Sequence, residues 1–553
     1  MSHPDPPQQP RWQPPQYPGQ AFPPPGGFAQ GPPPQGPGVP GPPFPGGPQG
    51  PGHPPYGGPY AGAPVPPGGD GGRRRWLIPA AAVTAVVVMA ATVWATVSLV
   101  GFGGPQPESV LPANALGFAK VDLDIDGSQA IDLLRFADRL PDELGEEFEG
   151  VEDEDDTAAP FAEVFADTYD LEASEVEGWI GRKVGVASWP TDNTDFASEG
   201  GVAFAIALAV EDAGAAEARF TELSETHGLA HTMVDDFVVF SEHPAAIDDY
   251  HDQMSAHGDL ESDDVYSGDL GDVPSGSIAL AWVDLASLAG IRPFREQLAT
   301  EFGAAGTVQG RMTASFRVTG EYLEARMDVF GLSVEGEDLS WLAEGTGAGV
   351  EAMGGLPENT TVALGGSGLD RMLAAAWEND ALPLLDDQDR RAMESDLTSV
   401  GAPPPDGFTS LLGTSTAVGL SDFDTGGYGS SVDPTVVFRA VDGDPTALAA
   451  FVDEVVAPPA STGPRPTVTE DGATVVVATG GTGGAVLADD QVFQQTMAGM
   501  EDTVAAAFVD VRRALTHEEV RDPEQWGAVG VALSVTQDGD RAAFELRWAP
   551  SGG

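Results

Sequence analysis

Residues 77–100 contain no charged side chain, and no other feature of this chain limits its fold so sharply. About 20 apolar residues cross the ~30 Å hydrocarbon core of a bilayer, so the run reads as a transmembrane helix. Its polar residues, Thr84, Thr92, Thr96 and Ser98, carry hydroxyls that a helix satisfies on its own backbone. Pro79 falls in the first turn, where its missing N–H costs nothing. Arg73, Arg74 and Arg75 precede the run and no base follows closely, which places the N-terminus in the cytoplasm and the remainder outside. A cleaved signal peptide has an apolar core of roughly 7–15 residues close to the N-terminus. Here the core is longer and follows a long tail, so an uncleaved signal-anchor over 76–101, with Trp76 at the interface, is expected. The chain has no cysteine, which removes a lipoprotein anchor. No later apolar run is long enough to span, so the expected topology is single-pass in the cell membrane.

The charge divides at the same point. The chain holds 86 acidic and 25 basic residues, of which residues 1–75 hold two and four, leaving 84 acids against 21 bases beyond the run. Such a field repels nucleic acid and anionic lipid and attracts cations or basic proteins. Adaptation to salty surroundings would give the same composition, and it outweighs a dedicated cation-binding role. Without disulfides, the outer region is held by its core alone.

The tail, 1–75, is dominated by Pro, Gly and Gln with isolated aromatics such as Trp12, Tyr17, Phe22 and Tyr60. It cannot bury enough apolar surface to order itself, so a disordered segment of polyproline II character is expected. Pro14-Pro15-Gln16-Tyr17 matches a pattern read by aromatic-grooved modules. A solvated spacer and the recruitment of a cytoplasmic protein partner fit the tail equally.

Beyond Gly104 the chain repeats itself. Leu260-Glu-Ser-Asp-Asp-Val-Tyr266 aligns without a gap on Leu487-Ala-Asp-Asp-Gln-Val-Phe493, and Ala281-Trp-Val-Asp284 on Ala507-Phe-Val-Asp510. Leu111-Pro-Ala-Asn114 corresponds to Leu356-Pro-Glu-Asn359. Runs 202–210 and 435–441 read as strands, each followed by an acidic turn and an alanine-rich helix, and 237–240 and 474–477 read as returning strands. Similar elements in one order at similar offsets mark a duplication, with one repeat over 102–350 and another over 351–553. The expected class is α+β: an internally duplicated outer domain of antiparallel or mixed sheets with packed helices, preceded by the transmembrane helix and the disordered tail.

The Pro-rich tail, the single run, the Leu-Pro-x-Asn motif followed by Val121-Asp-Leu123, and the repeated Leu-x-x-Asp blocks resemble an actinobacterial membrane family, the domain of unknown function 3352 family. The likeness covers most of 110–548. It implies an envelope location and supplies no catalytic residue or cofactor.

Two constellations have metal-ligand character. Asp122, Asp124, Asp126 and Gly127 copy the opening of a calcium loop, but Leu133 stands where a bidentate acid is needed. Asp284 and Asp510 recur at the place of Asp122 without the other aspartates, which favours a structural Asp122, such as a cap for the following helix. His227 and His231 have an i, i+4 spacing, but Gly228 stands where a zinc protease has its glutamate and ends the helix. His251 and His257 lie further on among acids, where a solvated helix and loop accounts for them better than a metal. No nucleophile elbow, phosphate loop or dinucleotide fingerprint occurs, and no cofactor is expected. The sequence leans away from an enzyme. It points to an envelope protein whose acidic domain binds a protein or matrix partner or acts as a scaffold. An exported metal-dependent hydrolase using the His227–His257 region, and a transmembrane sensor acting through the tail, rank below it.

Overall fold

The computed structural model describes residues 105–552, apart from 124–126, 143, 145–158, 194–200, 293, 296–307, 335–338, 344, 346, 379–386, 422–433, 457–464, 483, 501 and 516–519. Short alternating runs supply the strands. The first half contributes β1 (Gly117–Asp122), β2 (Ile180–Pro190), β3 (Val202–Val210), β4 (Ala230–Val234), β5 (Phe237–Ser241), β6 (Ser277–Asp284), β7 (Val308–Val318) and β8 (Leu323–Val334). The second contributes β9 (Val362–Ser367), β10 (Ser415–Ser421), β11 (Thr435–Val441), β12 (Thr467–Asp471), β13 (Thr474–Ala478), β14 (Ala505–Asp510), β15 (Ala528–Val535) and β16 (Arg541–Ala549). They form one sixteen-stranded sheet in the order β12-β13-β11-β10-β9-β14-β15-β16-β8-β7-β6-β1-β2-β3-β5-β4.

The expected fold class is corrected on two points. There is one sheet rather than several: among the described residues every pairing between its strands is antiparallel, one of the two arrangements expected, and β8 pairs with β16, fusing the halves. Each is the last strand of its half, and leaving either unpaired would expose a row of backbone donors and acceptors at the centre. Second, among the described residues no helix is long and apolar enough to cross a membrane. The residues that the sequence assigns to the tail and the span, 1–75 and 76–101, lie outside the described ones.

Read outward from the centre, the order 8-7-6-1-2-3-5-4 recurs as 16-15-14-9-10-11-13-12. The register recurs as well. One row of directly paired residues runs His231, Phe240, Ile206, Val186, Ala119, Ala281, Ala314, Met327. Its counterpart runs Val468, Val477, Phe438, Val418, Leu364, Ala507, Val531, Leu546. Paired residues share a face, so these rows fix equivalent positions across all eight strands.

Helices cover both faces. On one, Val110, Tyr250, Leu260 and Tyr266 pack on Phe118, Trp189, Ala205 and Trp282. In the second half Met353, Leu356, Phe493 and Met497 pack on Ala363, Ala417, Ala506 and Phe508. The equivalent aromatic pairs Tyr266–Trp282 and Phe493–Phe508 meet edge-on at 5.7 and 5.0 Å. On the opposite face, the helices Ala159–Thr168 and Ala213–His227 bury Phe165, Phe220 and Leu223 on Leu208 and Val238. There the second half buries Trp377, Phe408 and Leu448 on Ala440 and Val475.

Candidate functional site

Among the described residues the metal-ligand candidates do not converge on one point. Asp122 closes β1, is wholly buried, accepts a hydrogen bond from Gln106 Nε2 at 3.2 Å and faces Lys183 Nζ at 3.9 Å. Asp124 and Asp126 lie outside the described residues. The equivalent Asp284 and Asp510 accept from the backbone N–H of Ser287 and Arg513 at 3.0 and 3.3 Å. His227 ends its helix, Gly228 follows at φ 76°, and the imidazole rests on Tyr169. His231 sits on β4, on a different element, where the second half has Val468. It packs on Phe220 and contacts Ser224 Oγ at 3.3 Å, and burial lowers its pKa despite the opposing charge of Glu217. His251 and His257 are exposed on the helix Pro244–His257. Among the described residues no group of three or more histidines and acids could hold a metal.

Many of the chain's scarce cations turn inward instead. Lys120 and Lys183 are its only lysines, and both are buried. They fasten the segment 105–110 across β1 and β2. Lys120 Nζ donates to Glu108 Oε1 at 2.5 Å and Gln106 Oε1 at 3.1 Å, and Lys183 Nζ donates to the Pro105 carbonyl at 3.3 Å. In the second half Asp510 and Asp490 hold Arg512 at 2.8 and 2.9 Å. Burial opposes ionisation of Asp490, but the hydrogen bond and charge of Arg512 hold its carboxyl below the usual aspartate range.

The largest such cluster lies where β8 meets β16. Glu324 and Asp328 are 1% exposed. Arg317 grips Glu324 with two bonds of 2.7 and 2.9 Å, and Arg547 adds a third at 3.1 Å from across the seam. Arg326 grips Asp328 at 2.9 and 3.0 Å, and Arg541 reaches it from across the seam at 2.7 Å. Arg311 holds Asp269 at 2.6 and 3.0 Å, and that carboxylate also accepts from Trp282 Nε1 at 2.9 Å. Burial opposes ionisation of Glu324, but the bonds and charges of Arg317 and Arg547 hold it low. Its neighbour Glu545 is raised, by burial and by the charge of Glu324. Sequence reasoning passed over this cluster. Its signal is charge at every second position, Glu324-x-Arg326-x-Asp328 and Glu545-x-Arg547, which in a strand puts all of them on one face.

Two concavities open on the described residues. One of about 340 Å³ at the strand ends is lined by Pro105, Arg182, Lys183, Glu211 and Asp236. The Nε of Arg182 is buried and has no hydrogen-bond partner among the described residues. The other, about 290 Å³, is apolar and bounded by Met327, Val329, Leu364, Val531 and Phe544.

No family model matches this chain, and no curated protein or solved structure matches it either.

Proposed function

We propose that this chain is a non-enzymatic binding or scaffold protein of the cell envelope, whose acidic domain engages a positively charged protein or matrix partner. The observation that carries the reading is the inward turn of the bases. Lysines and arginines that could neutralise the surface are spent on Glu108, Asp269, Glu324, Asp328, Asp490 and Asp510. Each of these bases is matched by a buried carboxylate, so few bases remain to interrupt the acids at the surface, whose net charge stays strongly negative, and a surface of one sign selects partners of the other. The uncharged run 77–100 behind Arg73, Arg74 and Arg75 supports placing the domain on the outer side of a membrane.

Crosslinking in native cells, with the full chain and with a version lacking residues 2–72, tests the reading. Partners that persist without the tail, carry basic segments and are released by salt support it. Loss of the main partners with the tail would shift the activity to the cytoplasmic side. Turnover of an envelope substrate, abolished by one carboxylate substitution, would sink the non-enzymatic reading.

A further inference from the structure

The seam between the halves lies on a local two-fold axis. Because Ala314 pairs with Met327 as Val531 pairs with Leu546, Met327 corresponds to Leu546 and Arg326 to Glu545. Across the seam Arg326 is paired directly with Glu545, so the axis passes through a residue and its own equivalent. By the same count Glu324 corresponds to Ala543 and Asp328 to Arg547, while the observed pairs are Glu324 with Arg547 and Asp328 with Ala543. This is the geometry of an isologous dimer interface, in which each position meets either itself or its symmetry mate.

The side chains break that symmetry. If β8 met a second β8 in this register, Arg326 would face Arg326, and Glu324 would face Asp328 on both sides of the axis. If β16 met a second β16, Glu545 would face Glu545, and Arg547 would face Ala543 with no carboxylate opposite. In the chain as folded, Arg326 Nη1 lies 3.6 Å from Glu545 Oε2, and Glu324 has Arg547 at 3.1 Å. The apolar face of the seam makes no comparable distinction, since Met327, Val329, Phe544 and Leu546 are interchangeable in kind. Like charges directly opposite destabilise a strand pair, and a buried charge left unpaired costs far more than an exposed one.

We propose that β8 and β16 are mutually keyed interaction edges: each half accepts the other half as its partner and rejects a copy of itself. The key is carried by Glu324, Arg326 and Asp328 on one side and by Glu545 and Arg547 on the other. It makes the chain a tethered heterologous pair built on a symmetric plan. A half-length copy of either kind cannot displace its counterpart by self-pairing.

The test starts from the intact protein. A protease site inserted between Val334 and Leu339 allows the folded chain to be cut, leaving the halves joined without the covalent connection. The cut protein is unfolded in urea, refolded, and weighed by native mass spectrometry. The key predicts first-half–second-half pairs alone. Self-pairs at the one-to-two-to-one statistical share overturn it. Should the cut halves fail to refold, the uncut chain decides by comparing Glu545→Gln with Glu545→Arg. The arginine variant, which installs the Arg–Arg contact of the rejected pairing, should lower the folding constant at least about tenfold further than the glutamine variant. Equal losses would show that charge complementarity across the axis does not govern the seam.

Discussion

Lys120 and Gly365 occupy equivalent positions one residue beyond Ala119 and Leu364, and the two halves fill that place in opposite ways. In the first half, Lys120 meets Glu108, each side chain 7% exposed. In the second, Met353 stands where the gap-free motif match puts Glu108. A Cβ on Gly365 would lie 2.2 Å from the Gly349 carbonyl oxygen and 2.5 Å from Met353 Cγ, so no side chain fits. Removing one member of a buried pair strands a charge, whereas replacing both with apolar groups is often neutral. Lys120→Met should therefore cost about 3–5 kcal/mol in urea unfolding, and Glu108→Met combined with it should recover most of that loss. A double variant no better than the single would mean that the pair is not independent of Gln106 and Asp122. His231 supplies a pH signature. Its folded pKa lies below the ordinary histidine value of about 6.5, so the folded chain binds this proton less readily than the unfolded one. Its contribution is complete above that value and is lost as pH falls through it toward the lower folded value. His231→Phe should narrow the difference in urea midpoint between about pH 5 and pH 7.5.

At the scale of elements, the helices Asp264–Leu270 and Gln491–Met497 begin on equivalent caps. Asp263 accepts from Val265 and Tyr266 at 2.9 and 2.8 Å, and Asp490 from Val492 and Phe493 at 2.8 and 3.4 Å. Asparagine caps about as well as aspartate, so Asp263→Asn should change stability by less than about 0.5 kcal/mol. Asp490 also holds Arg512 and Arg513 at 2.9 and 3.6 Å, and Asp490→Asn should cost about 3 kcal/mol or more. Its carboxyl is held low, so this contribution is present above the ordinary aspartate range and is lost as pH falls through the depressed folded value. Denaturant curves of both variants at neutral pH and near pH 3 check magnitude and sign. The correspondence of these two positions was legible in the sequence, because they fall inside the gapless match of 260–266 on 487–493, although their capping role was not read from it. β3 and β11 likewise occupy the runs 202–210 and 435–441 that hydropathy marks. The partners of the arginines were not legible. A guanidinium at Arg541 or Arg547 finds its carboxylate 213 or 223 residues away, and only the register of β16 on β8 brings them together.

For the whole molecule, sequence order reveals two repeats but not whether they stand apart or share a sheet. That depends on the free edges of β8 and β16, a property of no local stretch. The same closure buries matched arginine–carboxylate pairs at the seam, while most of the remaining acids of the described residues face solvent. Mutual repulsion of the outer acids opposes compactness and is screened by salt, whereas the buried pairs are screened much less. Thermal unfolding midpoints should thus rise by several degrees between about 10 mM and 500 mM NaCl. A fall would assign the dominant electrostatic contribution to exposed ion pairs instead. One buried lysine carries a separate consequence. Lys120 lies beneath the segment 105–110, its amine held by Glu108 and Gln106. Acylation of Lys120 has to await an opening, so its rate times the lifting of that segment. The chain thereby carries a native chemical clock for the first step of its own unravelling.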